Sequence, residues 1–436
     1  MLDILLNRTY RHLFAAQVIA LIGTGLATVA LGLLAYDIAG ANAGTVLGTA
    51  LAIKMVAYIV VAPIASAFAE RVPRRAMLVS LDLIRAFVAL SLPFVTQVWQ
   101  VYILIFILQS ASAAFTPTFQ ATIPDILTDE KDYTKALSLS RLAYDLESVF
   151  SPMLAALLLT IVSFHSLFLG TVVGFLASAA LVVSVLLPKA KIPEKRKIYD
   201  RTTRGMRIYL STPRLKGLLA LNLAVASASA MVVVNTVVLV QSQFGLTQRS
   251  TALALAAFGG GSMLSALILP RVLENISDRI AMLGGSVLLT LGLLCGGFVN
   301  SFVMLCGLWF VLGIGYSLAQ TPSGRLLRRS SNPEDRPALF AAQFALSHAC
   351  WLITYPVAGW FGAKFGLSYT FWVLGGIAIT SIIIAKIVWP ASDDVELEHE
   401  HKGLAEDHPH ILEHQLTEGK HIHSYVIDDL HQRWPR

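Results

Sequence analysis

Charge and cysteine are both scarce in this sequence. Asp, Glu, Lys and Arg make up only 14% of its 436 residues against 56% hydrophobic, and the mean hydropathy is +0.67. One water-facing core could not bury so much apolar side chain, so the composition excludes an ordinary soluble protein and makes lipid the solvent for most of the chain. The three cysteines, Cys295, Cys306 and Cys350, lie in apolar runs without paired spacing. They support neither a disulfide framework nor a cysteine metal site. Also missing are a GxxxxGK[ST] phosphate loop, an HExxH helix and a nucleophile motif. The chain is therefore read as a non-enzyme, without ATP drive and with no required cofactor. No early apolar stretch ends in a small-residue cleavage site, so the first, from about Phe14 to Ala35, is kept as a span.

What is present is a series of helix-length apolar runs. Backbone in lipid must satisfy its own hydrogen bonds, and runs of this length do so as helices rather than as a barrel. Spans are expected near 13–36, 45–69, 77–97, 100–122, 138–162, 166–187, 217–241, 250–270, 280–299, 302–322, 339–363 and 368–389. The expected fold is thus an all-α integral membrane protein of twelve transmembrane helices, with both termini on one side. Arg71, Arg74, Arg75, Lys131, Lys135, the stretch 189–216, Arg271, Arg279 and the stretch 325–336 fall on alternate connections, and the opposite ones hold only Arg249 and Lys364. The positive-inside rule makes the basic side cytoplasmic in a bacterial-type inner membrane.

The formal charge of +6 hides a split. From Pro390 onward there are four Lys or Arg against eleven Asp or Glu, net −7, which leaves +13 on residues 1–389. That excess belongs to topology and anionic headgroups and not to nucleic acid. The expected organisation is a six-helix half (1–187), a basic loop (188–216), a second six-helix half (217–389) and an acidic, histidine-rich tail (390–436). An internal duplication supports the two halves. Residues 116–153 run from Thr116-Pro117 through Asp129-Glu130-Lys131-Asp132 to Ser151-Pro152. Residues 321–357 repeat those events with Thr321-Pro322, Glu334-Asp335-Arg336 and Tyr355-Pro356. Paired six-span repeats are a transporter architecture.

The segment SAFAERVPRR, Ser66 to Arg75, resembles the cytoplasmic signature of the major facilitator superfamily, glycine-x-x-x-aspartate-arginine-x-glycine-arginine-arginine/lysine. Glu70 takes the aspartate place, Arg71 the first arginine, and Arg74 and Arg75 the basic pair, while Ser66 and Pro73 depart from the glycines. The likeness covers nearly everything up to Trp389. It implies a secondary transporter whose halves open alternately to either face. A carboxylate and arginines at the ends of paired helices can form a breakable latch. Asp82 and Arg85, three apart on one helical face, are grouped with it and expected to pair with each other.

Ionisable residues inside spans are costly and point to function. Lys54, Asp145, Glu147 and His348 come near mid-membrane. Asp145 and Glu147 are two apart and point different ways. Asp145 is the expected coupling group because Arg141 precedes it by one turn. Burial disfavours the charged form of a carboxylate, so such a group can take up and release a proton. The alternative is a structural carboxylate neutralised by Arg141 or Lys54. Asn222 and Asn235 either line a polar path or join helices.

Eight of the eleven histidines lie in the tail: His399, His401, His408, His410, His414, His421, His423 and His431. Interleaved with acids, they suit nickel, zinc, copper or cobalt without fixing a geometry. The closing stretch with Tyr425, Val426, Ile427, Leu430 and Trp434 has the apolar character to dock on the cytosolic face. The tail resembles that of nickel-resistance exporters of the superfamily, and the body resembles its enterobactin-exporter-like subgroup. Together these imply proton-coupled efflux of divalent transition-metal ions by a monomer. The alternative is an exporter of drugs or siderophores whose tail senses metal or is incidental.

Overall fold

The computed structural model describes residues 2–39, 43–69, 72–159, 161–188, 198–392, 396–399, 421–431 and 433–435. After a 3-10 turn at Leu2–Leu6, the first half runs α1 (Arg8–Ala39), α2 (Ala43–Ala69), α3 (Arg74–Ser91), α4 (Val98–Ile126), α5 (Glu130–Leu158) and α6 (Phe164–Val183). A linker helix, α7 (Ile198–Ser211), leads to the second half. That half comprises α8 (Pro213–Val237), α9 (Gln248–Val272), α10 (Asp278–Gly296), α11 (Phe302–Gln320), the short α12 (Ser323–Arg329), α13 (Arg336–Phe365) and α14 (Leu367–Val388). Among the described residues twelve helices are 18 residues or longer, as the apolar runs predict.

Ten of the described helical stretches are apolar and long enough to cross a bilayer by themselves. The two remaining long helices are α2, whose apolar part is Ala52–Ala65, and α5, which carries Lys135, Arg141, Asp145 and Glu147. Both face the centre of the molecule, where polar groups need not meet lipid. Local chemistry fixes the helix ends. Asp129 caps α5 by accepting from the N–H of Lys131 and Asp132 at 2.9 and 3.0 Å, and Ser277 caps α10 through Ile280. The 3-10 turn at Leu92–Phe94, with Pro93 at its start, separates α3 from α4. Within spans, Thr118, Thr122, Ser227 and Thr290 each return their hydroxyl to the carbonyl four residues back at 2.8 Å, so they leave no polar atom facing lipid.

In the first half α1 packs on α5 and α6, and α3 on α4 and α6. In the second, α8 packs on α13 and α14, and α11 on α9 and α10. The halves meet along α2–α13, α4–α13 and α5–α9. In that seam, toward the arginine-rich end, Ala62, Ala113 and Ala341 are buried against one another, with Tyr58, Val61 and Phe344 packed around them. Outward surfaces are apolar instead: Phe87, Phe298, Val303 and Ile387 are each at least 69% exposed, the pattern of side chains whose solvent is lipid.

Two features were not read from the sequence. The basic loop contains α7, whose buried Arg204, Gly205, Ile208 and Tyr209 form one helical stripe that continues to Thr212 just past its end. The tail also turns back on itself: β1 (Glu396–His399) pairs antiparallel with β2 (His421–Ser424). Tyr425 and Ile427 then bury themselves with Leu215, Leu218, Tyr209 and Trp389, so the expected docking of the terminus is observed. Asp3 bonds Lys135 at 2.6 Å near the start of α5, and Asp429 bonds Arg204 at 2.7 Å. Both chain termini therefore lie at the arginine-rich end of the bundle.

Candidate functional site

A cavity of about 620 Å3 lies between the halves. In the first half Gln17 (α1), Lys54 and Tyr58 (α2), Thr116 and Gln120 (α4) and Arg141, Tyr144 and Glu147 (α5) face it. Opposite stand Ser229 (α8), Tyr316 and Gln320 (α11) and Gln343, Phe344, Ser347, His348, Trp351 and Tyr355 (α13). This size and mixture of aromatic faces with a few convergent polar groups is that of a small-molecule site.

The polar groups are held in place by their neighbours. Tyr58 donates its hydroxyl to Gln109 Oε1 at 2.9 Å. Its ring lies edge-on to the His348 imidazole at 4.7 Å and below Lys54 Nζ at 5.5 Å. His348 donates from Nδ1 to the Phe344 carbonyl at 2.7 Å, which leaves Nε2 as an acceptor. Arg141 reaches across the seam to lie over the Tyr316 ring at 4.5 Å. Glu147 sits where α1 approaches α5: a Cβ at Gly25 would stand 2.9 Å from its Oε1 and 2.2 Å from Ser151 Cβ. Glycine at 25 is what admits the carboxylate.

Of the residues expected on the path, Lys54, Glu147 and His348 converge on this cavity. Asp145 is on α5, its side chain outside the described set. Asn222 needs correction: it is 1% exposed inside α8, away from the cavity lining, because its helix face turns toward neighbours in its own half. Asn235 joins helices by donating to the Ala358 carbonyl at 3.1 Å.

Beyond the cavity the arginine-rich end is closed by ion pairs between halves. Asp125, at the end of α4, accepts Arg74 of α3 at 2.6 Å on one oxygen and Arg336 of α13 on the other. Glu130, at the start of α5, meets Arg325 at 3.0 Å and Arg328 at 2.9 Å, both on α12. Arg328 also donates to the Thr128 carbonyl. Asp278 of α10 gathers Arg325 and Arg329, each at 3.3 Å. The expected latch thus includes Arg74 but is built mainly on Asp125, Glu130 and α12. Glu70 and Arg71 lie outside the described residues, and Arg75 is exposed.

Asp82 and Arg85 do pair with each other, yet they are no part of this latch. The pair is buried inside the first half. Ser178 of α6 donates to Asp82 at 2.7 Å, and the Arg85 guanidinium lies between Phe115 and Phe175 at 4.0 and 4.5 Å. It fastens α3 to α4 and α6, because those helices supply the rings and hydroxyl that compensate for burying charge.

In the tail, His399 stands opposite His421 across the two strands, and His423 opposite Leu397. His401, His408, His410 and His414 lie outside the described residues. No cluster of three metal-ligating side chains occurs among the described ones. His431 corrects the expected ligand set. It is 4% exposed, its Nδ1 lies 2.9 Å from Asp428 Oδ1, and Tyr425 packs edge-on at 4.7 Å. It is a packing residue of the docked terminus.

A lipid-embedded bundle of two helical halves, enclosing a polar and aromatic cavity that ion pairs shut at one end, is a multi-pass membrane transporter. The chain belongs to the Major Facilitator Superfamily, whose family model matches residues 13–239 and 217–418. Macrolide efflux protein A of Streptococcus pyogenes is 23% identical over 392 residues, 86% of this chain and 95% of the relative. The uncharacterized MFS-type transporter YfiS of Bacillus subtilis is 23% identical over 341 residues, 76% and 81% of the two chains. Two solved structures share the fold. The human organic anion transporter MFSD10 (TETRAN) aligns with a TM-score of 0.74 at 13% identity, covering 87% of this chain and 99% of that one. A bacterial homologue of the iron transporter ferroportin, in its outward-facing state, aligns with a TM-score of 0.69 at 15% identity, covering 87% and 98%.

Proposed function

We propose that this protein is a proton-coupled exporter of drug-sized, amphipathic organic solutes, set in a bacterial-type plasma membrane with its arginine-rich end in the cytosol. The observation that carries the reading is the cavity lining. Tyr58, Tyr144, Tyr316, Phe344, Trp351 and Tyr355 offer aromatic faces, and Gln17, Gln120, Gln320 and Gln343 offer amides that both donate and accept. Such a surface suits a large, partly apolar solute with scattered polar groups. The likeness to macrolide efflux proteins over most of both chains supports the same class. Glu147 is the coupling carboxylate on this reading, since it faces the cavity beside Lys54, whose charge acts on it. One chain encloses the whole cavity, so a monomer suffices.

A divalent-metal cargo fits this lining less well. The described lining residues offer one carboxylate, Glu147, and one imidazole, His348, against the cations Lys54 and Arg141, whereas nickel, cobalt or zinc favours several imidazole, thiolate or carboxylate ligands. Metal has a separate place on this reading, on the tail. There the cross-strand pair His399 and His421 would start a site that the histidines between them complete, as a sensor and not as the path.

The test is uptake into inverted vesicles energised by a pH gradient, with macrolides, lipophilic dyes, nickel, cobalt and zinc as cargoes, for the full chain and for a chain ending at residue 390. Organic solutes accumulate and metals do not. Accumulation of metal ions alone would reject the organic reading, and loss of it in the shortened chain would give the tail a delivery role.

A further inference from the structure

The C-terminal segment makes contacts that neither a cargo cavity nor a metal-binding tail requires. Arg204 of α7 is buried, and its guanidinium is divided between two carboxylates. Its Nε and Nη2 bond Asp335 at 2.5 and 2.8 Å, and its Nη1 bonds Asp429 of the tail at 2.7 Å. Asp335 immediately precedes Arg336, the residue that reaches Asp125 in the other half. One tail carboxylate is thus three links from the inter-half latch, through Arg204, Asp335 and the start of α13.

The mechanical path is short and stiff. α7 lies so close to α13 that a Cβ at Gly205 would stand 2.0 Å from the Ala338 carbonyl oxygen, and Tyr209 donates to Gln343 at 2.5 Å. The same helix also contacts α2, so it underlies both sides of the seam. The tail is seated by more than one bond. Tyr425 and Ile427 are 5% and 4% exposed, the Tyr425 carbonyl accepts from Arg214 at 3.5 Å, and Arg214 lies 5.1 Å from the Trp434 ring centroid. Asp428 closes the final turn by accepting from the N–H of Leu430 and His431 at 2.9 and 2.7 Å.

We infer that residues 425–435 act in cis as a clamp that holds α7 against α13 and favours the state in which the arginine-rich end is closed. To open that end, Arg336 must leave Asp125 and the start of α13 must part from α4. A docked tail ties that start to α7, and an undocked tail frees it. Strands β1 and β2 join the clamp to the histidine-rich stretch, so whatever engages that stretch pulls on the clamp directly. The inference does not depend on the cargo.

The experiment places spin labels at Arg75 and Asn275, exposed positions at this end of the two halves, in a full chain whose three cysteines are replaced by serine, and measures their separation in nanodiscs. Asp429→Asn removes one charge from a side chain that is 59% exposed, so folding is undisturbed. The ratio of long to short separations is expected to rise roughly two- to fivefold, the range for one partly exposed ion pair. Asp429→Glu keeps the original ratio, and deletion of 425–436 raises it at least as far as Asp429→Asn. Unchanged separations in both Asp429→Asn and the deletion would overturn the clamp. A rise in Asp429→Glu equal to that in Asp429→Asn would do so as well, since the pair itself would then be irrelevant.

Discussion

Asp125 bonds Arg336 across the seam while its other carboxylate oxygen holds Arg74 within its own half. One side chain therefore couples the order of a single half to the closure of both. Hydrogen bonds to charged groups are the stronger kind, worth roughly 1.5–3 kcal/mol each, yet these lie at the edge of the bilayer, where water can replace them when the halves part. That suits a contact made and broken in every cycle.

Asp125→Ala removes both bonds together. The distance between labels at the arginine-rich end should shift toward open states by about tenfold in population, following from the loss of one such bond or more. Asp125→Glu should recover part of it. An unaltered distance distribution in Asp125→Ala would transfer the latch to Glu130 and α12.

Glu147→Gln should abolish uptake driven by a pH gradient while leaving counterflow exchange of the same solute intact, because the amide keeps the shape of the side chain and cannot carry the proton. The measurement is paired uptake and exchange in one vesicle preparation. Gradient-driven uptake at the wild-type rate would pass the coupling role to Asp145.

Asp82→Asn leaves the Arg85 guanidinium buried between two phenyl rings without its charge partner. A loss of about 3–5 kcal/mol is expected for breaking one side of a buried pair. It should be read as a lowered melting temperature in detergent. Replacing both members with apolar residues, Asp82→Leu with Arg85→Met, should cost less than the single change. If the single change melts with wild type, the pair is not a fastener of α3, α4 and α6.

Docking of the tail should weaken in acid. Burial alone would raise the pKa of Asp428, but hydrogen bonds from the His431 ring and backbone outweigh it and hold the carboxyl below its ordinary value. A depressed folded-state pKa adds stability above the unfolded value of about 3.9, and that stability is lost as pH falls through the lower folded value. Hydrogen exchange of residues 425–431, pulse-labelled at descending pH, should show protection lost below about pH 4. In Asp428→Asn the protection should be weaker at neutral pH and its further loss in acid smaller, the remainder belonging to Asp429, which bonds Arg204.

Much of this was legible in the sequence, for reasons that differ from element to element. Apolar runs of bilayer length located the long helices, and Pro93 marked the division between α3 and α4. The spacing of Asp82 and Arg85 predicted their pairing, because residues three apart on a helix must be neighbours. Their grouping with the latch failed, since spacing says nothing of which other helix surrounds them. Of the two α5 carboxylates the sequence could not say which faces the path; Gly25 of α1 shows where Glu147 fits, and the Asp145 side chain lies outside the described set. Asp125 was passed over although Glu130, Asp335 and Arg336 had been noticed as marks of the duplication. Ion pairs joining residues some two hundred apart in the chain leave no local trace. The helix α7 did leave one, a buried stripe at 204, 205, 208 and 209 that continues to 212, masked in the sequence by the surrounding basic residues.

The three alanines of the seam have a consequence for motion. They lie toward the arginine-rich end, Ala341 only five residues from Arg336, with Tyr58, Val61 and Phe344 packed around them. Small side chains let α2, α4 and α13 approach closely there, so parting the lobes at that rim uncovers apolar surface as well as separating charges, and shape and charge resist the motion together.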